Sequence, residues 1–277
     1  EWMMTQDQKI VGSTADGLAV LRSGQQAKQL GVEDPFAQWF ITEEGVTLLQ
    51  LAKKTDCVYE EYNLARYKLT TLKLREQSNQ YRQMLFLGSG FDCRPIWLDV
   101  FTNGETTVFE IDEPAKLLQK KEQLHLHGVS VPDWNRYIPG NLDNKNLPGL
   151  LFAKGLKPEQ PLLVLAEGLF FFTPSGVAAT VLNPKWLGLA SGSRIIFDGW
   201  SDDRVNGLNA RLFETMGRNL FHPFPYPTKP DKLKNELIAL GYSHVTVTPL
   251  SFLVEEYYNQ AILDEYKLGW LLVEALV

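Results

Sequence analysis

The chain has 277 residues, of which 44% are hydrophobic and 22% charged, so it can bury a large core without disulfide bridges. Its net charge of -6 disfavours a nucleic-acid partner, because nucleic-acid-binding proteins carry a basic face. It contains two cysteines, no apolar run of membrane-spanning length and no signal-peptide pattern. We therefore expect a cytoplasmic protein with neither nucleic-acid nor membrane partners, and its oligomeric state is not predicted.

The first 82 residues favour helices. Apolar residues recur at helical spacing in segments 13–31, 34–54 and 62–77, and Gly31 is a plausible stop for the first of them. No strand pattern precedes Met84. These features predict a helical N-terminal region.

From Met84 onwards, predicted strands alternate with predicted helices. The strands are expected near residues 84–87, 106–112, 136–143, 161–172, 193–200, 243–250 and 268–277. This alternation indicates an α/β fold with a mostly parallel sheet, and the continuous apolar strands fit a sheet covered on both faces.

Two glycines follow the first predicted strand, in the run Gly88-Ser89-Gly90. Glycine allows positive φ and close approach of a ligand to the backbone. Asp112 ends the second strand, 22 residues after Gly90, where a carboxylate can accept both hydroxyls of a ribose. The pattern indicates a site for an adenosine-containing cofactor, although a purely structural turn is an equally good interpretation of the glycines alone.

The glycine loop lacks the residues that define two common nucleotide-binding motifs, and this narrows the choice of cofactor. Cys93 occupies the third-glycine position of the dinucleotide fingerprint, and no G-K-[ST] follows as in a P-loop. The remaining common adenosine cofactor is S-adenosylmethionine, which has no phosphates.

Four segments occur along the chain in this order: FLGSGFDCRPIWL, VFEIDEPAKLLQKKE, GNLD and LVLAEGLFFFTP. Together they resemble the leucine carboxyl methyltransferase family, whose pattern runs G-x-G-x-D-[ST]-R, v-[FY]-E-[VI]-D-x-P, D-L and A-E-G-[VL]-x-x-Y. The resemblance covers about residues 30–200. It implies a Rossmann-like class I methyltransferase fold, with a seven-stranded, mostly parallel sheet whose last strand is antiparallel.

This fold implies one methyltransferase domain over residues 1–277. Within it we expect a helical N-terminal cap (1–82), a cofactor-binding core (83–200), an insertion that serves as a lid (201–230) and the C-terminal part of the sheet (231–277).

The resemblance also implies roles for individual residues. Arg66 matches the family arginine that pairs with the methionine carboxylate of the cofactor, unless it is a surface arginine of its helix. Gly88 and Gly90 would line the methionine part, and Asp92 would order the loop. Asp112 would hold the ribose hydroxyls, unless it only caps the following helix.

Three further positions complete or depart from the family pattern. Asn141-Leu142 stand where the family has Asp-Leu, whose Asp receives the adenine amino group; Asn keeps an acceptor oxygen, and Asp143 could substitute. Glu167 matches the family Glu beside the cofactor, the alternative being a strand-end acid that faces solvent. Phe172 stands where family members have Tyr.

Methyl transfer from a sulfonium is an in-line displacement, so alignment is the main task of the enzyme. A carboxylate acceptor needs no base, whereas a hydroxyl benefits from one. His222, in the aromatic, proline-rich insertion, is the candidate base, the alternative being an ordinary loop residue. Asp198 and Asp202 flank the exit of the fifth strand; we expect solvated loop acids, the alternative being contact with the acceptor. No metal site is expected.

The sequence thus predicts an S-adenosylmethionine-dependent O-methyltransferase whose acceptor is a small molecule with a carboxyl or hydroxyl group. Two alternatives stay open. One is a protein C-terminal carboxyl methyltransferase. The other is a non-catalytic module that binds the cofactor, as the departures at Asn141 and Phe172 would allow.

Overall fold

A computed structural model of the protein describes residues 6–55, 58–200, 222–263 and 269–277. Its centre is a seven-stranded sheet with the order β3-β2-β1-β4-β5-β7-β6. The strands are β1 (Gln83–Leu87), β2 (Thr107–Asp112), β3 (Asn135–Pro139), β4 (Leu163–Ala166), β5 (Arg194–Trp200), β6 (His244–Pro249) and β7 (Trp270–Leu276). Only β7 is antiparallel to its neighbours, β5 and β6. The predicted fold class is confirmed.

Helices cover both faces of this sheet. They are α1 (Gln6–Arg22), α2 (Gln25–Gln29), α3 (Glu43–Thr55), α4 (Tyr59–Gln77), α5 (Arg94–Trp97), α6 (Pro114–Leu126), α7 (Leu147–Ala153), α8 (Ser175–Val181), α9 (Pro230–Leu240) and α10 (Leu250–Tyr258). Every regular element in the described residues before Gln83 is helical, as the sequence predicts. No helix in the described ranges combines the length and apolar character needed to cross a membrane.

Two details of the helical predictions were wrong. Segment 13–31 is not one helix: α1 already begins at Gln6 and ends at Arg22, where the Ser23 hydroxyl bonds back to a backbone carbonyl and Gly24 turns extended. Helix α10 was not predicted, because its nine residues are too short for a clear period. Burial of Leu250 and Val254 against the sheet stabilises it instead.

Strand β1 lies in the middle of the sheet, and all five of its residues are buried. Leu85 and Leu87 belong to one apolar cluster, while Met84 and Phe86 belong to the cluster on the opposite face. The register pairs Leu87 with Ile111 of β2. The loops that follow β1, β2 and β4 therefore leave the sheet at one edge, where open α/β sheets bind ligands.

Candidate cofactor site

The glycine loop leaves β1 in a conformation that only glycine adopts easily. Gly88 and Gly90 have φ angles of 62° and 50°. A Cβ atom on Gly88 would lie 2.6 Å from Cδ1 of Leu169, so the Leu169 side chain would have to shift to admit it. Ser89 donates its backbone N–H to the carbonyl of Ile111 (3.1 Å). The Oγ atom of Ser89 is buried and has no hydrogen-bond partner among the described residues.

Asp112 lies directly across from this loop. Its Oδ2 atom accepts the backbone N–H of Gly90 (2.7 Å), and Oδ1 accepts that of Glu113 (2.7 Å). Glu113 is the N-cap residue of helix α6, and Asp112 accepts its backbone N–H as well as that of Gly90, so Asp112 does more than cap the helix. Burial raises the pKa of Asp112, and the two backbone donors oppose that shift. Each carboxylate oxygen retains a free acceptor position, so two hydroxyls could bind here.

A fully buried arginine lies behind the loop. Arg94 donates from Nε to both oxygens of Asp92 (3.0 and 2.9 Å) and from Nη2 to Oε2 of Glu167 (2.9 Å). Its Nη1 donates to Oγ1 of Thr70 (2.7 Å), and the guanidinium lies 4.3 Å from the ring centroid of Tyr67. Arg94 is the Arg of the family pattern G-x-G-x-D-[ST]-R, but its role was not predicted from the sequence.

Glu167 is the first residue after β4, and its side chain is only 13% exposed. The alternative of a solvent-facing strand-end acid is therefore wrong. Burial alone would raise the pKa of Glu167, but the guanidinium groups of Arg94 and Arg66 outweigh it and lower that pKa. Thr70 also donates its hydroxyl to Oε2 (2.6 Å). Glu167 is accordingly held ionised in a polar environment.

Arg66 projects from α4 into the same environment. It is 3% exposed, so the alternative of a surface arginine is wrong. Its Nη1 donates to Oδ2 of Asp198 (2.6 Å) and its Nη2 to Oδ1 of Asn63 (3.0 Å). Nε lies 3.6 Å from Oε1 of Glu167 and makes no hydrogen bond within the described ranges.

The expectation for Asp198 was wrong. It is not a solvated loop acid: β5 continues to Trp200, and Asp198 is fully buried within it. Pairing with Arg66 makes this burial tolerable. Asp202 lies outside the described residues.

A further buried ion pair, between Lys120 and Glu110, helps to hold the glycine loop in place. Lys120 of α6 contacts Oε2 of Glu110 (2.5 Å), and it donates to the backbone carbonyl of Asp92 (2.5 Å). Asn135 donates to the other oxygen of Glu110 (2.7 Å). Burial alone would lower the pKa of Lys120, but the Glu110 carboxylate raises it. This support was not predicted, because its three members lie on different elements.

Asn141 and Leu142 follow β3 at the same edge. The backbone N–H of Gly140 donates to the carbonyl of Asp112 (3.0 Å), which brings this loop beside the end of β2. Asn141 and Asp143 are exposed, and Leu142 is half-buried against the core.

His222 is the first described residue after a gap, because residues 201–221 of the predicted lid lie outside the described ranges. Its backbone N–H donates to the carbonyl of Phe171 (3.0 Å), beside Phe172 and the turn that follows β4. Phe224 stacks on Phe197 of β5, with ring centroids 6.0 Å apart. The C-terminal part of the predicted insertion is thus attached to the segment that follows β4 and to β5.

The residues at this edge fit S-adenosylmethionine. The positive φ angles of Gly88 and Gly90 favour glycine, which leaves the loop backbone uncovered by side chains, and the Ser89 hydroxyl still has hydrogen-bonding capacity. Asp112 offers acceptors for hydroxyls, and Arg66 offers N–H donors for a carboxylate. The described residues hold no group of three side chains suited to a metal ion.

A family model of leucine carboxyl methyltransferases matches residues 15–183. The chain belongs to this family. A provisionally named S-adenosyl-L-methionine-dependent methyltransferase of Mycolicibacterium smegmatis is 29% identical over 217 residues, which cover 72% of this chain and 66% of that relative. The chain thus spans about two thirds of the length of the relatives it matches. The predicted family and the predicted class, an S-adenosylmethionine-dependent methyltransferase, are confirmed.

Solved structures agree on the fold. A provisionally named methyltransferase of Thermobifida fusca superposes with a TM-score of 0.64 at 14% identity, over 96% of this chain and 94% of that one. Human N-acetylserotonin methyltransferase, solved with S-adenosylmethionine, gives a TM-score of 0.50 at 14% identity over 99% of this chain and 68% of its own. Both likenesses concern the fold alone.

Proposed function

We propose that this methyltransferase transfers the methyl group of S-adenosylmethionine to a carboxyl or hydroxyl group of a small molecule. One observation carries the proposal. The glycine loop, Asp112 and the buried pair of Arg66 and Glu167 lie at the same edge of the sheet, joined by hydrogen bonds or direct contacts. This edge presents acceptors for ribose hydroxyls and donors for an amino-acid carboxylate.

Each side chain has a binding or orienting task in this proposal. Arg66 binds the methionine carboxylate with its remaining N–H groups, and Asp112 accepts the two ribose hydroxyls. Gly88 and Gly90 let the methionine part approach the backbone, and the Asn141 amide oxygen accepts the adenine amino group. When bound, the cofactor supplies a methyl group on a positively charged sulfur. Arg94, which is itself held by Asp92, keeps Glu167 in place and ionised.

The acceptor determines whether a base is needed. A carboxylate is ionised at neutral pH, whereas a phenol or alcohol gains from proton removal. His222 is attached beside the turn that follows β4, which supports a role as base for hydroxyl acceptors.

Transfer of a labelled methyl group to a panel of aromatic carboxylates and phenols tests this proposal. We expect transfer to at least one class. If the acceptor is a phenol, His222→Gln should lower kcat by about a hundredfold; with a carboxylate acceptor it should change kcat little. His244→Gln, at an exposed position on β6, is the matched control.

Two results would contradict the proposal. Cofactor binding with no transfer across the panel would favour a non-catalytic module. Transfer only to the terminal carboxyl of peptides would identify a protein carboxyl methyltransferase.

A further inference from the structure

Asp198 links three elements that are distant in the sequence. Its Oδ2 accepts Nη1–H of Arg66 on α4 (2.6 Å), and its Oδ1 accepts the backbone N–H of Gly168 after β4 (2.6 Å). Asp198 itself lies on β5 and is fully buried. Both of its oxygens are therefore used, each by a donor on a different element.

The guanidinium of Arg66 is also restrained on its other sides. Nη2 donates to Asn63, whose own amide donates to the carbonyl of Tyr59 (2.8 Å). Gly168 has a φ of 69°, and a Cβ atom there would lie 3.6 Å from both Nη1 and Nη2 of Arg66. The guanidinium thus lies beside Gly168, which has no side chain, and each of its two Nη atoms donates to an acceptor.

We propose that Asp198, together with Asn63, is a positioning residue that holds Arg66 for the methionine carboxylate. This inference rests on the proposed function. A guanidinium that is already oriented loses little freedom when it binds a carboxylate, and its remaining N–H groups stay available. Asp198 acts through Arg66 and Gly168 and has no direct role in methyl transfer.

The test compares two ligands that differ only in the carboxylate: S-adenosylmethionine and its decarboxylated analogue. Asparagine at position 198 offers one acceptor oxygen, so its amide nitrogen must face either Arg66 or Gly168, both of which are donors. Asp198→Asn should therefore raise the Kd of S-adenosylmethionine on the order of tenfold to a hundredfold. The Kd of the analogue should change by less than about threefold. Asp133→Asn, at an exposed position, is the control.

Equal losses for both ligands would overturn the proposal, because they would reveal only general damage to the site. Unchanged binding of S-adenosylmethionine would overturn it as well. If Asp198→Asn does not fold, Asn63→Ala should give the same carboxylate-selective loss, and its absence would count against the proposal. A wild-type protein that binds neither ligand would instead refute the proposed function itself.

Discussion

Two buried charge clusters lie at the cofactor edge, and they differ in the number of charged groups that they join. The support cluster pairs Lys120 with Glu110, both fully buried, and the Nζ–Oε2 distance is 2.5 Å. The network around Arg66 and Arg94 is different: its two guanidinium groups face three carboxylates, those of Asp92, Glu167 and Asp198.

We infer from this difference that the support cluster has a structural role and that the arginine network has a role in binding. In the support cluster the Lys120 ammonium pairs with one oxygen of the Glu110 carboxylate, and Asn135 donates to the other oxygen. In the arginine network, Nε of Arg66 is buried without a hydrogen bond to any described residue. An N–H donor that lacks an acceptor is suited to a ligand carboxylate, whereas the pair of Lys120 and Glu110 is suited to holding the loop.

The largest effect is expected from breaking the support cluster. Lys120→Ala removes the only cation that pairs with Glu110 among the described residues, which should lower the free energy of unfolding by about 3–5 kcal/mol. Urea unfolding measures this change in the free energy of unfolding. Lys121→Ala, at the exposed neighbouring position on α6, should stay within about 0.5 kcal/mol of the wild type. Similar stabilities for the two variants would mean that the pair does not support the fold.

The next effect concerns the arginine network and depends on pH. Arg94→Gln should lower the free energy of unfolding by about 3 kcal/mol at neutral pH, because Asp92 and Glu167 lose their shared cation. In the wild type the pKa of Glu167 lies below its usual 4.5, so its stabilisation is present above that pH and is lost as the pH falls through the lowered pKa.

In the Arg94→Gln variant, burial of Glu167 dominates, so protonation relieves the destabilisation. The stability gap between wild type and variant should therefore narrow as the pH falls below about 4.5. Urea unfolding at neutral and acidic pH measures this gap. Arg75→Gln, on the same helix as Arg66 and paired with Asp99 in solvent, should cost little at either pH. A gap that stays constant or widens would contradict the assignment.

The smallest effect is expected at Thr70, which bridges the network. Its hydroxyl donates to Glu167 and accepts from Arg94. Thr70→Val should lower the free energy of unfolding by about 1–3 kcal/mol, because two charged groups lose a partner. Thr70→Ser keeps the hydroxyl and should recover most of this loss, measured in the same unfolding experiment. Equal losses for valine and serine would implicate packing and not the hydroxyl.

The parts of the site that the sequence predicts are local. Gly88, Gly90 and Asp112 end neighbouring parallel strands, and the register of β1 and β2 necessarily brings strand ends together. Glu167 follows the same rule at the end of β4. The strand pattern therefore finds the glycines and Asp112, whereas the family resemblance was needed to assign Glu167.

The parts that the sequence missed depend on contacts between distant segments. Asp198 and Arg66 are 132 positions apart in the sequence, and nothing near residue 198 indicates that its side chain pairs with a buried guanidinium. The support cluster likewise joins β2, β3 and α6: Glu110 belongs to a family motif, but nothing in the sequence indicates that it pairs with Lys120 and Asn135. Arg94 was visible in a motif, but its role depends on Glu167, which lies 73 positions further along the chain.

The most direct test of the central claim is titration calorimetry of the wild type and of Asp112→Ala with S-adenosylmethionine, with NAD as the control ligand. We predict micromolar binding of S-adenosylmethionine by the wild type and none of NAD. Asp112→Ala should weaken that binding by about a hundredfold or more, because two ribose hydroxyls lose a charged acceptor. Glu113→Ala, at the exposed neighbouring position, should bind as the wild type does. Unchanged affinity in Asp112→Ala would contradict the proposed cofactor site.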